Sequence, residues 1–324
     1  MMTKPLIAVS LLALAMVPGI SVRADDDATI GSLEDKTIEL RKGKTVLGSS
    51  ELARESYRDF LDLVSDDPEL RAEAMRRLGD LELEATEAGQ LAENIEALDP
   101  HSFDNSVGLY QKLLESYPDY RRNDTVLYQL ARAYEVGGRT DEALDTLNEL
   151  VAKYPGTSLM DEVQFRRGEM LFLRRDYNGA ELAYQDVIKA GDSSRYYEQS
   201  LYKLGWAQFK LAWHEDSQAS FFELLDRKIG DVEIGDGEER LASLTRAERE
   251  LVEDTFRVLS ISFSYMEGAD SIDAVMQDRG LPHFSHVIYS NLGDLYLEKE
   301  RFQDAAETYE AFVRQDPHHP ESPG

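Results

Sequence analysis

Cysteine is absent from the 324 residues. That excludes disulfides, thiolate catalysis and cysteine-ligated zinc, and it removes the residue that carries the lipid of a bacterial lipoprotein. Basic residues are scarce: 35 Lys and Arg stand against 63 Asp and Glu, a formal charge of −28. A nucleic-acid binder displaces counterions with a basic footprint, and attachment to anionic lipid needs one too, so neither partner is expected. No GxSxG, phosphate-cradling glycine loop, GxGxxG or HExxH occurs, so no enzyme activity and no cofactor is expected. His283 and His286 share a helix face but lack a third ligand, so they are read as part-exposed polar residues and no metal site is expected. His318 and His319 are expected to be solvated. The acidic run Asp231, Glu233, Asp236, Glu238 and Glu239 breaks the calcium-loop pattern, because Gly235 and Asp236 fall at its fifth and sixth positions.

Long apolar runs are equally rare. The one at Leu6 to Val17 follows Lys4 and precedes Pro18-Gly19 and Val22-Arg23-Ala24, the layout of a cleavable secretory leader. Twelve residues at ~1.5 Å each reach about 18 Å, short of a ~30 Å hydrocarbon core. Cleavage after Ala24, export to the periplasm and no membrane span in the mature chain are therefore expected.

What the chain does contain is a repeat. In Asn291 to Pro317, NLGDLYLEKERFQDAAETYEAFVRQDP, let Gly293 be position 8 of a unit. Then Tyr289 is 4, Leu292 is 7, Tyr296 is 11, Ala305 is 20, Tyr309 is 24, Phe312 is 27 and Pro317 is 32. The frame recurs from Asp124 (Leu127, Leu130-Ala131, Tyr134, Ala143, Leu147, Leu150, Pro155), from Asp161 (Gln164, Gly168, Leu171, Ala180, Tyr184, Val187) and from Glu198 (Leu201, Leu204-Gly205, Gln208, Phe221, Leu224). Those three starts are 37 residues apart each time. Met75 and Leu78-Gly79 open another unit, whose second helix is displaced to Ser106, Tyr110, Leu113 and Pro118. Ser56, Phe60, Leu63 and Pro68 read as a lone second helix, and Leu259-Ser260 and Phe263 mark a degenerate unit. Small residues at 8 and 20 let two helices approach, large ones fill the space between, and a proline ends the second helix. One such pair cannot bury its apolar stripe alone, so neighbouring pairs must stack.

This pattern resembles the tetratricopeptide repeat, whose usual period is 34 residues. The resemblance covers roughly Glu51 to Pro317 and implies an all-α, right-handed α-solenoid of stacked helix pairs. The longer 37-residue spacing, clearest over residues 153–189, resembles the variant repeats of exported bacterial cell-envelope proteins, such as the Tol-Pal coordinator and outer-membrane assembly proteins. In the family, positions 2, 5, 9, 12 and 13 of the first helix line a concave groove that binds peptides. Carried onto this sequence, they give an aromatic strip: Tyr128, Phe165, Phe172, Tyr202, Trp206 and Phe209. Aromatics at helical spacing serve as core packing or as a contact surface, and Trp206, beside Gly205, is the position expected to touch a partner. The Lys, Asn and Arg residues with which the chaperone-binding branch clamps a carboxylate do not match here.

The expected organisation is a leader at 1–24, a polar linker at 25–50 with an extended piece at Thr37 to Leu40, and irregular helices at 51–123. The insertion at 85–105 either lengthens a helix or projects as a loop. Three regular units follow at 124–229, then an acidic insertion at 230–250, a degenerate unit at 251–285, a regular unit at 286–319 and a tail at 320–324. Because no polar capping helix follows Pro317, the array is expected to continue in a longer chain or to be capped by a partner. The resulting expectation is a non-enzymatic periplasmic scaffold that binds a protein or peptide partner and organises an envelope complex. The alternative is a structural protein whose repeats stack with other chains.

Overall fold

The structure, a computed structural model, describes residues 49–63, 67–93, 101–230 and 243–320. The expected leader, the linker up to residue 48, the acidic run at 231–242 and residues 321–324 lie outside them. Among the described residues there are thirteen α-helices and no strand. They are α1 (Ser49–Leu63), α2 (Pro68–Glu93), α3 (Asp104–Ser116), α4 (Asn123–Val136), α5 (Thr140–Lys153), α6 (Met160–Leu173), α7 (Tyr177–Lys189), α8 (Tyr197–Lys210), α9 (His214–Leu225), α10 (Arg246–Ser264), α11 (Ala269–Arg279), α12 (Ser285–Glu298) and α13 (Phe302–Gln315). Consecutive helices pack as pairs, α2 with α3, α4 with α5, α6 with α7, α8 with α9 and α12 with α13, and each pair packs on the next. The fold is an all-α helical repeat solenoid.

The repeat positions explain the pairing atom by atom. A Cβ placed on Gly168 meets the Tyr184 ring at 2.4 Å, one on Gly205 meets Phe221 at 2.7 Å, one on Gly293 meets Tyr309 at 2.4 Å, and one on Gly79 meets Tyr110 at 2.7 Å. Position 8 is therefore glycine wherever position 24 is aromatic, since the ring lies flat on the first helix's backbone. In the unit from Asp124 the pair is Ala131 with Leu147, both buried, so a shorter side chain leaves room for one methyl. The three tyrosines in regular or near-regular units also tie their hydroxyls to position 9: Tyr110 donates to Asp80 Oδ1 (2.8 Å), Tyr184 to Glu169 Oε1 (2.5 Å) and Tyr309 to Asp294 Oδ1 (2.7 Å).

The turn between the helices of each regular unit is equally regular. Position 15 is left-handed, at φ +74° in Gly138, +63° in Arg175, +59° in Ala212 and +57° in Glu300. The N–H of position 16 donates to the carbonyl of position 11 and that of position 15 to position 12, all at 2.8–3.0 Å. This is the Schellman arrangement, which satisfies carbonyls left over at a helix C-terminus. Only Gly138 adopts that conformation without a Cβ penalty. Arg175→Gly, Ala212→Gly and Glu300→Gly are each expected to stabilise the fold by about 0.5–1 kcal/mol, strain relief exceeding the added chain entropy of glycine. The readout is a raised urea midpoint at unchanged slope.

Departures from the expected frame have local causes. The insertion at 85–105 does lengthen a helix: α2 runs unbroken to Glu93. Pro68 opens α2 instead of closing the helix before it, a position where its missing N–H costs nothing. The degenerate unit starts five residues earlier than 251, because Thr245 and Glu248 form a capping box, with Glu248 N donating to Thr245 Oγ1 (3.3 Å) and Thr245 N to Glu248 Oε2 (3.0 Å). In that unit α10 packs mainly on α12 and α9, while the short α11 touches α10, α12 and α13 lightly and buries only Ile272 and Met276. The tail histidine His319 is not simply solvated: its ring lies 4.6 Å from His286 and 5.3 Å from Phe312, where the turn after Asp316 returns the chain.

Among the described residues the buried carboxylate of Glu181 makes no ion pair. Glu181 of α7 is 5% exposed and accepts from Gln185 Nε2, and burial raises its pKa above the usual carboxylate range. A folded-state pKa above the unfolded one makes the group increasingly costly as pH rises past the ordinary carboxylate value. Glu181→Gln is therefore expected to stabilise the protein by about 1 kcal/mol at pH 7 and hardly at all at pH 4, as read from urea midpoints at both.

Candidate partner-binding face

The first helices α4, α6, α8, α10 and α12 carry positions 5, 9, 12 and 13 on one side. Residues at 4, 7, 8, 11 and 24 are almost fully buried in most units. Among the six aromatics expected to line a groove, Tyr128 belongs with them. It is 7% exposed, and its hydroxyl donates to Glu162 Oε1 (2.5 Å) at position 2 of the next unit while Arg166 Nε donates to it (3.1 Å). Burial first, then the bond to Glu162, pushes its pKa up to about 12. Tyr128 is inter-repeat packing, with its polar end already used.

The other five are half-buried. Phe165 stacks on Tyr196 (5.0 Å, 23°) and Phe172 meets the edge of Tyr177 (5.2 Å). Tyr202 lies edge-on to Trp206 (6.4 Å, 78°) and donates its hydroxyl to Asp254 of the next first helix. Burial and then that bond push its pKa up to about 12. Trp206 is edge-on to Phe209 (5.7 Å, 85°). The structure extends this run beyond the residues expected from the sequence: Phe209 lies 5.7 Å from His214 and 6.0 Å from Tyr265, and His214 stacks on Tyr265 (5.8 Å, 6°). Tyr265 is 69% exposed. It occupies position 13 of the unit framed by Leu259-Ser260, so the same numbering would have found it.

Ion pairs bridge neighbouring units along this side. Arg132 reaches Glu87 (2.8 Å), Arg166 reaches Glu135 (2.8 Å) and, within its own helix, Glu162 (3.3 Å), Arg195 reaches Glu162 (2.8 Å), and Lys203 reaches Glu169 (2.8 Å). Burial opposes ionisation of Glu162, but bonds from Tyr128, Tyr196 and Arg166 hold its pKa below the usual range. Position 9, expected to face a partner, is instead tied back within its own unit where it is Asp80, Glu169 or Asp294. Trp206 is the position-9 residue whose side chain stays on the surface run. Among the described residues no group of three His, Cys, Asp or Glu is placed to hold a metal ion, and no helix is long and apolar enough to cross a membrane.

Two sequence profiles described as the tetratricopeptide repeat match residues 125–157 and 290–322. No curated protein sequence matched the chain. Among solved structures, similar chains include BtubC from P. vanneervenii, the apo form of RapI, and MamA. BtubC is 15% identical over 85% of this chain and 93% of its own, with a TM-score of 0.40. RapI is 13% identical over 83% and 92%, TM-score 0.41, and MamA is 14% identical over 74% and 92%, TM-score 0.37.

Proposed function

Because this chain is a tetratricopeptide-repeat protein, we propose that it is a non-catalytic scaffold holding a protein or peptide partner against the exposed side of its first helices. It acts in the bacterial periplasm, where it helps to organise a cell-envelope complex. The observation that carries the reading is the contrast in burial. In the same helices, packing positions are sealed while Phe165, Phe172, Tyr202, Trp206 and Phe209 are left half open to solvent, in register from α6 to α8. Large rings held by their neighbours present apolar area at little entropic cost, the usual composition of a binding hot spot. Support for export comes from the leader-like start.

The test is crosslinking and recovery from a periplasmic fraction, with the native chain and Trp206→Glu compared and circular dichroism confirming retained helix. Trp206→Glu is expected to weaken capture of the partner by about 2 kcal/mol or more, roughly thirtyfold. Equal recovery by both baits would move the contact elsewhere on the surface. The mature protein is expected to begin at Asp25, and finding Met1 retained on a cytosolic protein would remove the periplasmic reading. A particle size that grows with concentration, with no partner captured, would favour stacking between copies.

A further inference from the structure

Resting on that partner-binding reading, we infer that the α8–α10 end of the aromatic run is a subsite for a segment carrying one acidic side chain beside an aromatic or branched apolar one. The cations Arg132, Arg166, Arg195 and Lys203 each hold a carboxylate. Lys210, one turn beyond Trp206 and exposed, makes no ion pair among the described residues. Its ammonium lies over two ring faces, 5.4 Å from the Trp206 centroid and 5.9 Å from that of Phe209.

That placement decides the sign of the ligand. Rings attract an ammonium through their quadrupoles but accept none of its N–H bonds, which are left to solvent. A carboxylate arriving from the solvent side takes the place of that water with a charge-assisted bond. A cationic ligand, in contrast, finds both ring faces taken and meets a like charge. Beyond Phe209, His214 and the 69% exposed Tyr265 continue the run as an aromatic wall for the neighbouring side chain. A chain of charge −28 repels a polyanion, while a single carboxylate, screened beyond ~8 Å at physiological salt, responds to the close contact.

The test pans a random twelve-residue peptide library displayed on phage against the full chain, Lys210→Gln, Lys210→Glu and Trp206→Ala. Each protein is first checked by circular dichroism. The full chain is expected to enrich Asp or Glu beside Phe, Tyr, Trp, Leu or Ile, and Lys210→Glu to enrich Lys or Arg at the same place. The best peptide, synthesised with acetyl and amide ends, should lose about tenfold in affinity on Asp→Asn or with Lys210→Gln, and little more when both are combined. Peptides without an acidic position, peptides with several, or binding unmoved by Lys210→Gln overturn the inference. If such peptides still depend on Trp206, the groove reading survives that failure. If no peptide binds, or binding ignores both Lys210 and Trp206, the two fall together.

Discussion

Arg76→Met is expected to lower stability by about 3–5 kcal/mol at pH 7 and by much less near pH 3. Arg76 is 3% exposed and lies between two carboxylates, Nη2 at 2.7 Å from Glu73 Oε1 and Nη1 at 2.6 Å from Asp80 Oδ2. Tyr110 donates to Asp80 (2.8 Å) and Tyr120 to Glu73, so the cluster joins α2, α3 and the loop into α4. The bond from Arg76 above all, aided by Tyr120 and against the effect of burial, holds the Glu73 pKa at about 2. Burial raises that of Asp80 despite Arg76. Methionine keeps the apolar stem but leaves Asp80, the more buried acid, without its cation, and Glu73 with only Arg77 (3.0 Å) and Arg122 (4.0 Å).

The pH dependence follows from the direction of those shifts. Glu73, lowered from 4.5 to about 2, contributes stability that is present above the unfolded value and disappears as pH falls through the folded one. Asp80, raised, has the opposite sign and is at its most costly at neutral pH. Without Arg76 both carboxyls take up protons more readily, so acid removes the variant's penalty while also removing the parent's gain. The gap between parent and variant should narrow steadily between pH 5 and pH 3 in urea melts. A gap independent of pH would make the loss one of packing.

Gly168→Ala is expected to cost about 1–3 kcal/mol, although alanine is ordinarily the better helix former. The new methyl lies 2.4 Å from a Tyr184 ring carbon, the ring is fully buried, and its hydroxyl is anchored on Glu169. Nothing on that side can give way cheaply. The chain contains the remedy in Ala131 with Leu147. Adding Gly168→Ala to Tyr184→Leu should therefore cost almost nothing, a coupling of at least 1 kcal/mol in a double-mutant cycle. Additive losses would mean that the methyl clashes with something other than the ring.

The architecture was legible because its determinants are local and periodic. Small residues at 8 and 20, large ones at 24 and 27 and charged turns all fall at fixed spacings, and position 8 meets position 24 within a single helix pair. The candidate site was less legible because its determinants cross between pairs. Tyr128 and Tyr202 both occupy position 5, yet Tyr128 is sealed against Glu162 and Arg166 of the next unit, while Tyr202 keeps part of its ring in solvent. Nothing in the spacing distinguishes them. Tyr265 is position 13 of a unit whose second half does not repeat the pattern, so the frame that reaches it rests on Leu259-Ser260 and Phe263 alone.

The thin attachment of α11 has a mechanical meaning. In a solenoid each layer is held by its neighbours, so load passes along the stack from layer to layer. Here the packing runs from α9 to α10 and from α10 to α12, while α11 sits beside that path and buries only Ile272 and Met276. Clefts of about 420 and 480 Å3 open on its two sides, towards α13 and towards α9. Under strain along the array α11 is therefore expected to loosen before the path through α10, and it would do so in the unit that carries Tyr265, at the end of the aromatic run.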